Sequence, residues 1–177
     1  MENQRTQTKV AMNYGTIFGL AGVVIFLLFY FMGTNIQSRL PQWISYGVLC
    51  VFIVIGIKSY RDEDLGGYIN YGKSLWTGVL ISFFGGVITA IFTILFFKFI
   101  SPDMIQRILD STQQNLVEKG MSDDQIEMAM DYTRTFMTPI WLFTFSVLGT
   151  TLMGFIFSLF ISIFMKKEES LFKSNIG

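Results

Sequence analysis

Residues 74–97 read SLWTGVLISFFGGVITAIFTILFF, 24 consecutive residues without a charge, bounded by Lys73 and Lys98. A helix needs about 20 mostly apolar residues to cross a hydrocarbon core roughly 30 Å thick. This stretch is therefore long enough to span a bilayer. Three further uncharged runs of the same character lie on either side of it. The first lies between Lys9 and Arg39, with an apolar centre from Tyr14 to Met32; the second, Leu40 to Ile57, has 18 residues and opens with Pro41 and Trp43. On the C-terminal side, Thr135 to Met165 gives 31 uncharged residues, more than a membrane requires, so that helix should protrude or bend near Pro139. The expected spans are about 12–32, 41–57, 74–97 and 138–165, within a single membrane domain over 1–177. The expected fold class is an all-α integral membrane protein: four transmembrane helices, with an extracytoplasmic helical hairpin between helices 3 and 4.

Composition agrees and removes several functions. Of the 177 residues 51% are hydrophobic and only 15% charged, where a soluble domain would carry about a quarter charged. Thirteen basic residues balance thirteen acidic ones, so there is no positive surplus to hold nucleic acid. There is no histidine and one cysteine, Cys50, which removes imidazole acid–base chemistry, His metal sites and an internal disulfide. Arg5 and Lys9 before the first apolar run resemble a signal-peptide n-region, but the run is long and Gly33-Thr34-Asn35-Ile36 offers no A-x-A-like site, so a retained helix is expected.

Orientation follows from Lys and Arg in the connections. One side carries Arg5, Lys9, Lys58, Arg61, Lys73, Lys166, Lys167 and Lys173; the other carries Arg39, Lys98, Arg107, Lys119 and Arg134 over more residues. Both termini should face the cytoplasm, and residues 98–137 should lie outside, in a bacterial inner membrane.

Inside the spans, small residues recur every four positions. Ser74, Gly78, Ser82, Gly86 and Ala90 form one ridge, and Ser146, Thr150, Gly154, Ser158 and Ser162 another; Ala11, Gly15 and Gly19 form a shorter third. Such ridges let helix backbones approach closely in lipid. An i, i+4 row winds around its helix, so only part of each ridge should meet a straight neighbour. The hydroxyls read as interface groups bonded to their own backbone; the alternative is a polar path. No charge lies within a span, which argues against a coupled pump or proton relay.

Residues 58–73 read KSYRDEDLGGYINYGK, with the charges first, then Gly66-Gly67, then an aromatic lead into the next span. The two glycines permit a chain reversal, and Tyr60, Tyr68 and Tyr71 suit the headgroup layer. This segment reads as a cytoplasmic elbow. Under the functional alternative, Arg61 and Asp62 would engage a lipid phosphate or a partner protein, though Glu63 and Asp64 argue against a strong anionic-lipid site. The Lys-x-Tyr-Arg-Asp stretch, the Gly-Gly and the Ile-Asn-Tyr-Gly-Lys that follows resemble a family of small four-span bacterial membrane proteins, domain of unknown function 4199. Tyr60, Arg61, Asp62, Gly66, Gly67 and Tyr71 carry the resemblance. It covers most of the chain and brings no assigned activity, cofactor or catalytic residue. Members are common in the Bacteroidota, and their genes often lie near membrane-associated family 2 glycosyltransferases, which implies an accessory role beside such an enzyme.

The long connection from Lys98 to Arg134 carries helix punctuation. Ser101 before Pro102 and Asp103 reads as an N-cap, Gly120 as a stop, and Ser122-Asp123-Asp124-Gln125 as a second capping box. Met104, Ile105, Ile108, Leu109, Leu116 and Val117 form one apolar side, and Ile126, Ala129, Met130, Phe136 and Met137 the other. The second of these helices is expected to run on into the fourth span. Met104, Met121, Met128, Met130 and Met137 suggest packing rather than a Cu(I) site, since no His or Cys is near, and the acidic residues lack the Ca²⁺-loop spacing. No catalytic, cofactor or metal residues are expected.

The reading that best fits is a non-catalytic accessory or scaffold subunit contacting the lipid bilayer and another membrane protein or a second copy. A small oligomeric channel or transporter is the first alternative. The second, a lipid-acting enzyme using Arg61, Asp62 and the tyrosines, lacks a nucleophile or base in a supporting constellation.

Overall fold

The computed structural model describes residues 5–33 and 39–167. Six α-helices follow in order: α1 (Gln7–Phe31), α2 (Leu40–Ser59), α3 (Tyr71–Leu95), α4 (Met104–Glu118), α5 (Asp123–Phe136) and α6 (Pro139–Met165). α1, α2, α3 and α6 are long and apolar enough to cross a membrane, which makes the chain an all-α membrane protein with four spans. Thr34, Asn35 and Ile36 after the first run, and Lys173 of the basic tail, lie outside the described residues.

The helices begin and end differently from the uncharged runs. α1 starts at Gln7, because the Thr6 hydroxyl accepts a hydrogen bond from the Lys9 N–H and caps the end. α3 starts at Tyr71, where the Asn70 side chain accepts from the Lys73 N–H at 2.8 Å. Two spans end in π turns, Tyr60–Asp64 after α2 and Phe96–Ile100 after α3, with the N–H of Leu65 on the Tyr60 carbonyl and that of Ser101 on the Phe96 carbonyl. The charges at the start of the elbow are thus helical, and only Leu65 to Asn70 form the connection.

α3 is the central helix. Its N-terminal half packs antiparallel on α6 through the two expected ridges. Gly78 lies against Ser158, Gly154 against Ser82, and a methyl added at Gly86 would meet the Thr150 Cβ at 3.2 Å. The row is buried on α3 from Ser74 to Ala90 and on α6 from Ser162 to Gly154, but Thr150 and Ser146 are only half-buried. The ridge opens toward one end, as the winding of an i, i+4 row requires. The third ridge runs parallel to α3. A methyl on Gly15 would come within 2.7 Å of the Ile81 carbonyl oxygen, and one on Gly19 within 2.6 Å of the Ile88 Cβ. α2 closes the group, with Ile53 near Gly78 and Gly56 against Ile81.

Burial is uneven along the membrane normal. The buried residues of α1 are Val10, Ala11, Gly15, Phe18 and Gly19, and those of α2 are Leu49, Ile53, Gly56, Ile57 and Ser59. Both sets lie in the half of the bundle nearest the elbow. At the other end the packing is aromatic and local, with Phe26, Tyr30 and Phe92 around the fully buried Phe96 ring at centroid distances of 4.9, 5.0 and 5.9 Å. Two crevices of about 200 and 300 Å³ open in that half, sharing Phe18, Ser45 and Thr150 in their walls.

α4 and α5 meet through Leu109, Ile126 and Met130, with Ile105, Leu116, Met121 and Met137 around them. Gly120 at φ +71° ends α4, and the Ser122 N–H donates to Gln125 Oε1 at the start of α5. Two details differ from expectation. Ser101 does not cap α4; its hydroxyl donates to the Asp103 carboxylate at 3.0 Å, which with Arg107 nearby holds Asp103 below the usual carboxylate range. Nor does α5 continue into the fourth span. It stops at Phe136, and α6 starts afresh at Pro139, because proline cannot donate the N–H that a continuous helix needs. Val117 and Phe136, expected on the shared apolar side, are exposed there; Phe136 instead stacks edge-on against Trp141 and Phe145 of α6.

Candidate functional site

Among the described residues, the elbow gathers bonds from the N-terminal arm and from α6. Asp64, only 5% exposed, ends the π turn after α2. The N-terminal arm crosses to meet it. Arg5 donates to Asp64 Oδ1 from its backbone N–H at 2.7 Å and from Nε at 3.3 Å, and its Nη2 reaches Asp64 Oδ2 at 3.0 Å. The same Nη2 reaches Glu63 Oε2 at 2.5 Å and Ser59 Oγ at 3.1 Å, while the Ser59 hydroxyl donates to Glu63 Oε1 at 2.9 Å. These charge-assisted bonds raise the affinity of Arg5 for its proton, chiefly through Asp64.

Arg61 makes the second fastening. It holds both oxygens of Asp62, at 2.7 and 3.1 Å, and Nη1 reaches the Met165 carbonyl at the last turn of α6, 3.3 Å away. That carbonyl is one of the groups a helix C-terminus leaves without an intrahelical partner. Ile69 and Lys167 then exchange two backbone hydrogen bonds of 2.9 Å, a one-residue antiparallel bridge joining elbow and tail. Gly66 and Gly67, at φ +65° and +92°, provide the reversal between these contacts, and the Gly67 N–H returns to the Arg61 carbonyl at 2.8 Å. On α1, Gln7 Nε2 donates to the Lys73 carbonyl and to Thr77 Oγ1.

The three tyrosines separate. Tyr60, read as a headgroup-layer ring, is 8% exposed and belongs to the core cluster with Val10, Ile57 and Ile69. Its place on the turn following α2 points it into the bundle. Tyr71 is half-buried and its hydroxyl donates to the Leu159 carbonyl at 3.3 Å. Tyr68 is exposed, with the Lys167 ammonium 5.5 Å from its ring centroid. The motif residues Tyr60, Arg61, Asp62, Gly66, Gly67 and Tyr71 are thus brought together with α6 and the tail. Ser59 and Asp64 join them without having been singled out by the sequence pattern, as do Arg5 and Lys167, read only as topology charges, and Ile69, read only as part of the lead into α3. Asn70 was legible in principle, since Asn three residues before Lys73 has the N-cap spacing.

Along the spans several hydroxyls turn back on their own helix, but of the ridge hydroxyls expected to do so only Ser82 does among the described residues. Thr77 donates to the Lys73 carbonyl, Ser82 to Gly78, Thr93 to Thr89 and Thr151 to Val147, at 2.7 to 2.9 Å. Ser74, Ser158 and Ser162 are fully buried with no hydrogen-bond partner among the described residues. Met121, Met130 and Met137 pack in the cluster shared by α4 and α5, while Met128 is exposed.

A family model described as protein of unknown function (DUF4199) matches residues 13–167. No curated protein and no solved structure matches the chain.

Proposed function

The chain belongs to the DUF4199 family of proteins of unknown function, and we propose that it is a non-catalytic accessory or scaffold subunit of a membrane complex. The observation that carries this reading is how the elbow spends its polar groups. Of the residues a lipid-acting enzyme would need free, Arg61 is bonded to Asp62 and to the Met165 carbonyl, and Tyr71 to the Leu159 carbonyl. By contrast, the α4–α5 pair leaves Val117, Met128 and Tyr132 exposed at 58, 63 and 62%. Exposed apolar groups beside charged ones suit a protein contact. In this proposal both termini are cytoplasmic, α4 and α5 face outward from a bacterial inner membrane, and the partner is a membrane protein, with a lipid-linked glycosyltransferase the class that the family resemblance suggests.

Photo-crosslinking residues placed at Val117 and Met128 test the reading in native membranes. The expected result is one discrete crosslinked protein present in stoichiometric amount. Crosslinks to self alone, together with ion flux in liposomes, would replace the proposal by the channel reading.

A further inference from the structure

Charge at the elbow balances in the sequence, with Lys58, Arg61 and Lys73 against Asp62, Glu63 and Asp64. The structure distributes it differently. Both oxygens of Asp62 are held by Arg61. Both oxygens of Asp64 are held by Arg5, and those of Glu63 by Arg5 and Ser59. All six carboxylate oxygens are therefore engaged within the chain, and the guanidinium groups do most of it. Among the described residues no lysine is paired with a carboxylate, and Lys167 lies over the Tyr68 ring. Lys9 stands in the first turns of α1, Lys58 in the last turn of α2, Lys73 in the first turn of α3, and Lys166 and Lys167 directly after α6; all five are exposed. Lys58 and Lys167 lie close enough to Asp62 to lower its proton affinity, but Arg61 occupies its oxygens. Each of the four spans thus carries lysine at the same end of the bundle. The opposite span ends hold only Arg39 and Lys98, the latter against the Phe99 ring.

From this arrangement we propose that the lysine collar at the elbow end binds the phosphates of anionic phospholipid headgroups. The chemistry fits in three respects. Lysine at a span end lays its alkyl stem along hydrocarbon and raises its ammonium to the headgroup plane. An ammonium on a flexible stem is a point charge that accepts a phosphate from several directions, whereas the planar forks of Arg5 and Arg61 are already matched to carboxylates. Lysines near an anionic surface each contribute about a fivefold gain in affinity, and several acting together give a preference that salt weakens. Trp76, one turn into α3 from Lys73 and 57% exposed, sits at the collar as a reporter.

The test uses the full chain with Trp43→Phe and Trp141→Phe, leaving Trp76 as the one fluorophore, in phosphatidylcholine vesicles carrying a brominated lipid. Brominated phosphatidylglycerol is expected to quench Trp76 at a concentration about tenfold lower than brominated phosphatidylcholine at low salt, with the difference shrinking as salt rises. Replacing Lys9, Lys58, Lys73 and Lys166 together by Gln should abolish the preference, while Arg39→Gln at the far end leaves it intact. Equal quenching by the two lipids, or a preference that survives the four lysine changes, would overturn the proposal. Loss of the preference on adding millimolar inorganic phosphate would also overturn it, by showing a soluble anion to be the ligand.

Discussion

The two ends of the bundle are built on different principles. At the elbow end, the arm before α1, the π turn after α2, the start of α3 and the residue chain after α6 are joined by ion pairs, capping bonds and a backbone bridge. At the other end the spans diverge around two crevices, and what packs there is a local group of aromatic rings. The difference follows from what each end has to work with. Small residues at fixed spacing let α3 and α6 touch backbone to backbone in the elbow half, and polar groups just outside the hydrocarbon then find partners that cannot be reached when helices stand apart. A fastened end thus stands beside an open one.

Substituting glycines on a single helix gives the largest contrast. Gly154 of α6 lies against Ser82, whereas nothing is within 4 Å of a methyl added at Gly149. Gly154→Leu is expected to destabilise by about 3 kcal/mol or to prevent accumulation, by analogy with overpacked cores. Gly149→Leu should change stability by less than about 0.5 kcal/mol. Thermal unfolding in detergent measures both, and equal losses would mean that the two halves are packed alike.

Next in size is Arg5→Ala. It removes the guanidinium bonds to Ser59, Glu63 and the nearly inaccessible Asp64, which keeps the backbone N–H of position 5 as a donor. The expected loss is about 2 kcal/mol, between exposed and buried ion-pair values, because Arg5 itself is a third exposed. Denaturation with sodium dodecyl sulfate reads this out. A smaller loss, about 1 kcal/mol, is expected for Arg61→Ala, which frees the Met165 carbonyl and an exposed Asp62. Normal abundance with lost biological activity in that variant would revive the enzyme reading. Smallest of all should be Met128→Asp on α5, under about 0.5 kcal/mol, since the side chain is exposed. Its effect should appear instead as loss of partner crosslinking.

The fastened end was only half visible in sequence. The ridges were legible because a four-residue spacing of small residues is a local pattern, and the structure brings Gly78 to Ser158 and Ser82 to Gly154. Span number was legible for the same reason, since absence of charge is counted along the chain. The Arg5–Asp64 pair was not, because its members are 59 positions apart and each looks like an ordinary topology charge. Tyr60 departs from the headgroup-layer expectation because the last charge-free residue of the run does not end the helix: α2 and its π turn carry on to Asp64, and the ring is buried in the core. The break at Pro139 was marked in sequence, yet an uncharged run of 31 residues hid the fact that Thr135 and Phe136 belong to α5.

Hydrogen exchange on the intact chain in lipid nanodiscs tests the contrast most directly. The amides of Gly67, Ile69 and Lys167, all hydrogen-bonded in the elbow, should exchange at least about tenfold more slowly than those along α4 and α5, which pack mainly on each other. Elbow amides exchanging as fast as those of α4 and α5 would contradict the claim that this end of the bundle is the fastened one.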